Sequence, residues 1–195
     1  MSWSETALVA LVVLAVALVL AWRGASRLDR LHRKVAASRI ALDAQLVRRA
    51  SAAVELAASG ALDPASAVLV ADAAYAASDA GPVTSPAAAL QMDGLGADRE
   101  RAESGLTATL REVLGAPETA DELLAGSSSE VVAALGDAWY RATLARRFHN
   151  EAVAQARRVR RLWYVRLLRL AGRAPMPRTV ELDDVLPHAL EPTAG

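Results

Sequence analysis

Residues 7–22 read ALVALVVLAVALVLAW, sixteen apolar residues in a row, with Thr6 adding little polarity before them. Counted from Trp3 to Trp22, the segment would rise about 28 Å as a helix, close to the roughly 30 Å hydrocarbon thickness of a bilayer. Trp3 and Trp22 stand at its two ends, where an amphipathic indole suits a membrane–water interface. A cleaved signal peptide calls for a positive n-region and a small-x-small site. Only Glu5 accompanies the terminal amine, and no such site follows the run. The stretch therefore reads as an uncleaved transmembrane anchor over residues 1–25. Immediately downstream come Arg23, Arg27, Arg30, Arg33 and Lys34, and upstream there is no Lys or Arg. The positive-inside rule then predicts a single pass through the cell's inner (plasma) membrane, with a short outer amino terminus and about 170 residues in the cytoplasm.

Those remaining residues favour helices. The 195-residue chain holds 45 alanines and a single phenylalanine, and alanine is the best helix former and a poor strand former. Residues 26–59 read as one long helix, with Leu28, Leu31, Val35, Leu42, Leu46, Ala53 and Ala57 on one side. This helix runs without a visible break from the anchor to Ser59, and Gly60 fits the left-handed residue that ends it. Asp63 and Pro64 supply an N-cap and a first-turn proline for a second helix, which reaches Ala80 before Gly81-Pro82. Residues 81–97 read as a loop. A third helix is expected from Asp98 to Leu114. Two capping boxes follow: Thr119 with Glu122 opens a short turn of helix, and Ser127 with Glu130 opens a last helix to Ala171, the longest of the protein. That helix carries a seam of Val131, Leu135, Ala138, Ala142, Ala145, Ala152, Ala156 and Val159, small enough for close helix approach. The fold class is all-α: an N-terminal transmembrane helix followed by an antiparallel four-helix bundle over residues 26–173. Residues 174–195 form an extended or disordered tail.

Two segments carry a family resemblance. The first, VAASRIALDAQLVRRASAAVELA, follows the anchor and places Leu46 before the pair Arg48 and Arg49; the second, ATLARRFHNEAV, lies in the last helix. In this order, after a short outer terminus and one membrane helix, they resemble the LemA family of bacterial membrane-anchored helical proteins. The second segment is similar to the family's alanine-x-arginine-arginine-aromatic-x-asparagine-x-x-valine pattern. Ala145, Arg146, Arg147, Phe148, Asn150, Ala152 and Val153 carry it. The chain departs from the family at Gln155 and Arg157, which replace a tyrosine-asparagine repeat, and at Arg161-Leu162-Trp163, which replaces a phenylalanine-proline break. The resemblance implies a divergent four-helix bundle of unassigned biochemical role and transfers no catalytic residue.

The chemistry-bearing residues are sparse. With no cysteine, disulfides, thiolate metal sites and a cysteine nucleophile are excluded. His32, His149 and His188 lack any spacing that preorganises a metal. Asn150 is a poor interior helix former, which predicts a buried hydrogen bond to a neighbouring helix. The acidic run of Glu181, Asp183 and Asp184 reads as solvated or paired with arginines of the last helix. Walker, dinucleotide-binding and nucleophile-elbow motifs are absent from the sequence, and no catalytic, cofactor or metal site is expected. An enzyme, a hydrolase or transferase with a site inside the bundle, would need convergent polar groups in the core, where only Asn150 is a plausible buried one; a pocket lined by Asn150, Asp43 and His149 would favour it.

The strongest local feature is RRVRRLWYVRLLRLAGR, residues 157–173. Arg157, Arg158, Arg160, Arg161, Arg166 and Arg169 are candidates for contact with anionic lipid headgroups, at roughly 1 kcal/mol per basic residue near the surface. The competing reading is a core helix whose arginine stems snorkel over apolar neighbours. A formal net charge of +0 argues against a nucleic-acid partner. The expected role is a non-enzymatic, membrane-tethered scaffold or interaction module with an unknown protein partner. A signalling helper that passes membrane events along the first helix is the further alternative.

Overall fold

The structure is a computed structural model that describes residues 3–81, 94–115, 128–172, 174–187 and 190. Among these residues the regular structure is entirely helical. Helix α1 (Trp3–Ala58) contains both the apolar run and the first amphipathic segment, without interruption. Nothing in the sequence between them breaks a helix except Gly24, and one glycine costs only about 1 kcal/mol there. Gly60, at φ 76°, takes the left-handed conformation that stops the chain from continuing.

Helix α2 (Pro64–Asp79) starts as its sequence dictates, with Asp63 Oδ1 accepting from the amides of Ala65 and Ser66. Helix α3 spans Ala97–Val113 and helix α4 spans Ser129–Arg160. The expected turn opened by Thr119, the capping role of Ser127 and most of the 81–97 loop lie outside the described residues. At 56 residues α1, not the last helix, is the longest.

The last helix also stops short of Ala171. It ends at Arg160, Leu162 turns extended, and a five-residue helix α5 (Trp163–Leu167) follows at a new angle. The stretch contains no glycine or proline before Gly172, so local propensity alone would continue the helix. Packing decides instead: the turn folds Val165 and Leu170 back against Leu28 near the start of the folded body.

Pairing along α1 and α4 is ordered. Leu28 meets Val159; Val35 meets Ala152, Val153 and Ala156; Leu42 and Leu46 meet Ala142. A larger cluster at the far end joins Ala50, Ala53 and Leu56 to Val70, Ala74, Leu106, Leu110, Leu135 and Trp139. Alanines form much of this seam, as the sequence predicts. Helix α2 packs on α1 and α3 on α2. The backbones of α3 and α1 stay farther apart, and long charged side chains span the space between them.

The described residues 174–187 of the tail are extended and held to the body. Residues 174–187 run as a strap, with Val180 fully buried against Leu42, Leu46 and Ala142. Thr107 of α3 donates to the Asp183 carbonyl, and the Trp139 indole of α4 donates to the Asp184 carbonyl. The strap thus bonds to both α3 and α4.

Candidate functional site

Two regions concentrate chemistry: the exposed end of α1 with the arginine-rich turn beside it, and a buried charge cluster in the body. In the first, every residue from Trp3 to Leu20 is exposed, and Trp22 is 71% exposed. Among the described residues, one helix is long and apolar enough to cross a membrane, by length and composition. An apolar surface of this extent needs a nonpolar medium or a partner to cover it.

The six arginines expected at lipid headgroups divide into two groups. Arg157 donates through Nε to the Pro177 carbonyl at 2.7 Å, and Arg160 donates to the carbonyls of Ala174 and Pro175. These two hold the strap. Arg158, Arg161, Arg166 and Arg169 are exposed. Arg161, Arg166 and Arg169 line, with Arg160, a groove of about 450 Å³ beside Val165 and Met176. Arg169 sits at φ 48°, an unusual conformation for a residue with a side chain, and that kink brings the chain back after α5. On the opposite side of α5, Trp163 and Leu167 are 72% and 71% exposed.

The motif residues of α4 also take separate roles. Arg146 points both Nε and Nη2 at Asp184 Oδ2, at 2.9 and 2.7 Å, so the acidic tail does pair with an arginine of this helix. Arg147 and Phe148 are exposed, and Val153 is fully buried. Asn150 departs from expectation. Its partner is the strap, not a helix: its amide donates to the Val180 carbonyl at 3.0 Å and its carbonyl accepts from the Val180 amide at 2.9 Å. One side chain thereby satisfies both polar groups of a buried backbone residue that belongs to no helix or sheet.

The buried cluster lies between α1 and α3. Arg49 donates to Glu103 Oε2 at 2.8 Å, to the Glu103 carbonyl at 3.0 Å and to Thr107 Oγ1 at 3.1 Å. Its guanidinium also lies 4.9 Å from the Trp139 ring centroid, a cation–π distance. Arg99 donates to the other Glu103 oxygen at 2.8 Å and lies 3.6 Å from Asp43. Arg49, Arg99 and Glu103 are at most 2% exposed. Their removal from water is tolerable only because each charge faces its opposite. The sequence reading missed Arg99 and Glu103 altogether. A signal was present: Arg99, Glu103, Leu106 and Leu110 recur at helical spacing, so the charges occupy positions that continue an apolar stripe.

His149 is buried as well, and its Nδ1 lies 3.0 Å from Ser38 Oγ. Burial brings its pKa down to about 4; the positive charge of Arg39 adds to this and a hydrogen bond to the Arg178 backbone opposes it. The neutral imidazole is therefore the resident form at neutral pH. Asp43, His149 and Asn150 have different partners among the described contacts. Asp43 faces Arg99, His149 faces Ser38, and Asn150 holds Val180.

No protein-family model matches the chain, and no curated protein or solved structure matches it either.

Proposed function

We propose that the protein is a membrane-tethered scaffold or interaction module without enzymatic activity, of the LemA type. The anchor between Trp3 and Trp22 crosses the inner membrane once, with its amino terminus outside. The folded part is a cytoplasmic antiparallel four-helix bundle that presents its outer surfaces to a protein partner. One observation carries this reading: the helix of membrane-spanning length continues unbroken into the helix that forms the core, so the body is mounted directly on the anchor. The descending order of α4 residues met by ascending residues of α1 supports the antiparallel arrangement.

The outer faces suit binding more than catalysis. Val68, Leu69 and Tyr75 of α2 and Tyr140 and Phe148 of α4 are exposed, and large exposed apolar and aromatic side chains are common at protein contacts. A pocket lined by Asp43, His149 and Asn150 would favour the enzyme alternative; the contacts described for them are to Arg99, Ser38 and Val180 respectively. The signalling alternative draws on the same continuous α1 and differs only in what the partner does.

Membrane fractionation and protease protection in cells test the placement. The full-length chain is expected to resist alkaline extraction, and protease added outside intact cells is expected to leave the body uncut. A soluble or exported product, or cutting of the body from outside, would remove the reading. Crosslinking from Tyr75 or Tyr140 then identifies the partner.

A further inference from the structure

Helix α5 meets the anchor where the apolar run ends. Leu170 closes on Gly24 so tightly that a Cβ there would come within 2.8 Å of the leucine side chain, and Tyr164 packs beside it. The two elements enclose a groove of about 490 Å³. Ala17 and Leu20 of α1 form one wall, and Trp163, Leu167 and Leu168 form the other. Arg23 and Arg27 line the same groove one to two turns further along α1.

We propose that this groove binds an anionic diacyl phospholipid of the leaflet beside the folded body. One acyl chain lies between Leu20 and the Trp163–Leu167 face, and the phosphate sits at Arg23 and Arg27. The proposal rests on the membrane placement of α1 given above. Depth selects the occupant. Ala17 lies five residues before Trp22, about 7–8 Å deeper along the helix, which is the depth of the acyl boundary for an interfacial element. A water-soluble partner would have to enter the bilayer to reach Ala17, whereas a lipid chain is already there. Charge selects the headgroup. Arg23 and Arg27 line the groove, and the exposed Arg166 and Arg169, which line a separate groove, add positive charge to the same end of the body. Gly24 lets Leu170 approach closely, since a Cβ at this position would oblige the end of the Leu170 side chain to shift.

The test uses the full chain in vesicles of phosphatidylcholine, or of an equal mixture of phosphatidylcholine and phosphatidylglycerol, with bromine atoms high on the acyl chains as fluorescence quenchers. One variant, Trp3→Phe with Trp22→Phe, leaves Trp163 as the accessible reporter, and a second, Trp3→Phe with Trp163→Phe, leaves Trp22. The buried Trp139 is common to both. Quenching of Trp163 as well as Trp22 is expected, and Leu167→Asp, at an exposed position, should reduce the Trp163 quenching alone. Lipid retained through detergent extraction should favour phosphatidylglycerol, and Arg23→Gln with Arg27→Gln should lower that preference about thirtyfold. If Trp22 is quenched and Trp163 is not, the groove is empty of lipid and the proposal falls while the anchor stands. Quenching of neither sinks both. Retention without headgroup preference overturns the assignment of an anionic lipid and with it the proposal.

Discussion

Glu103 holds two arginines at once, and neither it nor they can reach water. Removing one partner of a buried pair strands the other charge, which typically costs 3–5 kcal/mol. Glu103→Ala should therefore destabilise the folded body by about that much, and Glu103→Gln by less, since the amide still accepts one hydrogen bond. Chemical denaturation of the two variants in detergent checks the order; equal stability of Glu103→Ala and the native chain would refute it. His149 makes a second prediction at this scale. Its folded pKa of about 4 lies below the unfolded value of 6.5, so the unfolded chain takes up the proton first. Stability should fall as pH drops from 6.5 towards 4, by about 3 kcal/mol in all at most, and should be flat in this term above 6.5. His149→Gln should show a shallower slope across that window. Identical slopes in both proteins would exclude His149 as the cause.

Asn150 binds both the amide and the carbonyl of Val180 in the strap. Asn150→Ala leaves the Val180 amide and carbonyl buried without partners, at about 1–3 kcal/mol for such a group. Hydrogen exchange at Val180 should accelerate in this variant while exchange at Leu42 and Leu46 stays slow; unchanged protection would show that the strap is held by other contacts. Elements differ in how far their residues announce them. Asp63-Pro64, Gly60 and the leucine–alanine stripe of α1 are local instructions, and the helices they specify form where the sequence places them. The end of α4 at Arg160 and the seating of α5 have no local instruction. They arise from contact with Gly24 and Leu28, residues more than a hundred positions away. The strap is invisible for a different reason: it is bound mainly through its backbone carbonyls, which every sequence possesses. The buried charges are hard to read from sequence because charged residues are rarely fully buried, and only their spacing with Leu106 and Leu110 marks them.

At the scale of the whole molecule, α1 joins a stretch long and apolar enough to cross a membrane to the helix that forms the core. A proline at position 26 removes a hydrogen bond and clashes with the preceding turn, so Ser26→Pro should kink the helix between the two parts. Spin labels at positions 14 and 51 should report a narrow distance distribution near about 56 Å in the native chain and a shorter, broader one in the variant. A broad distribution in the native chain would mean that the two parts already move independently. From Arg23 to Ala58 the same helix extends about 54 Å beyond the apolar run. Tilting is one way in which a spanning helix accommodates a bilayer that thickens or thins. Through a lever of this length, a tilt of only about 10° sweeps the distal end sideways by about 9 Å. The core around Leu56 and Trp139 would then act as the pointer of a gauge whose input is membrane thickness.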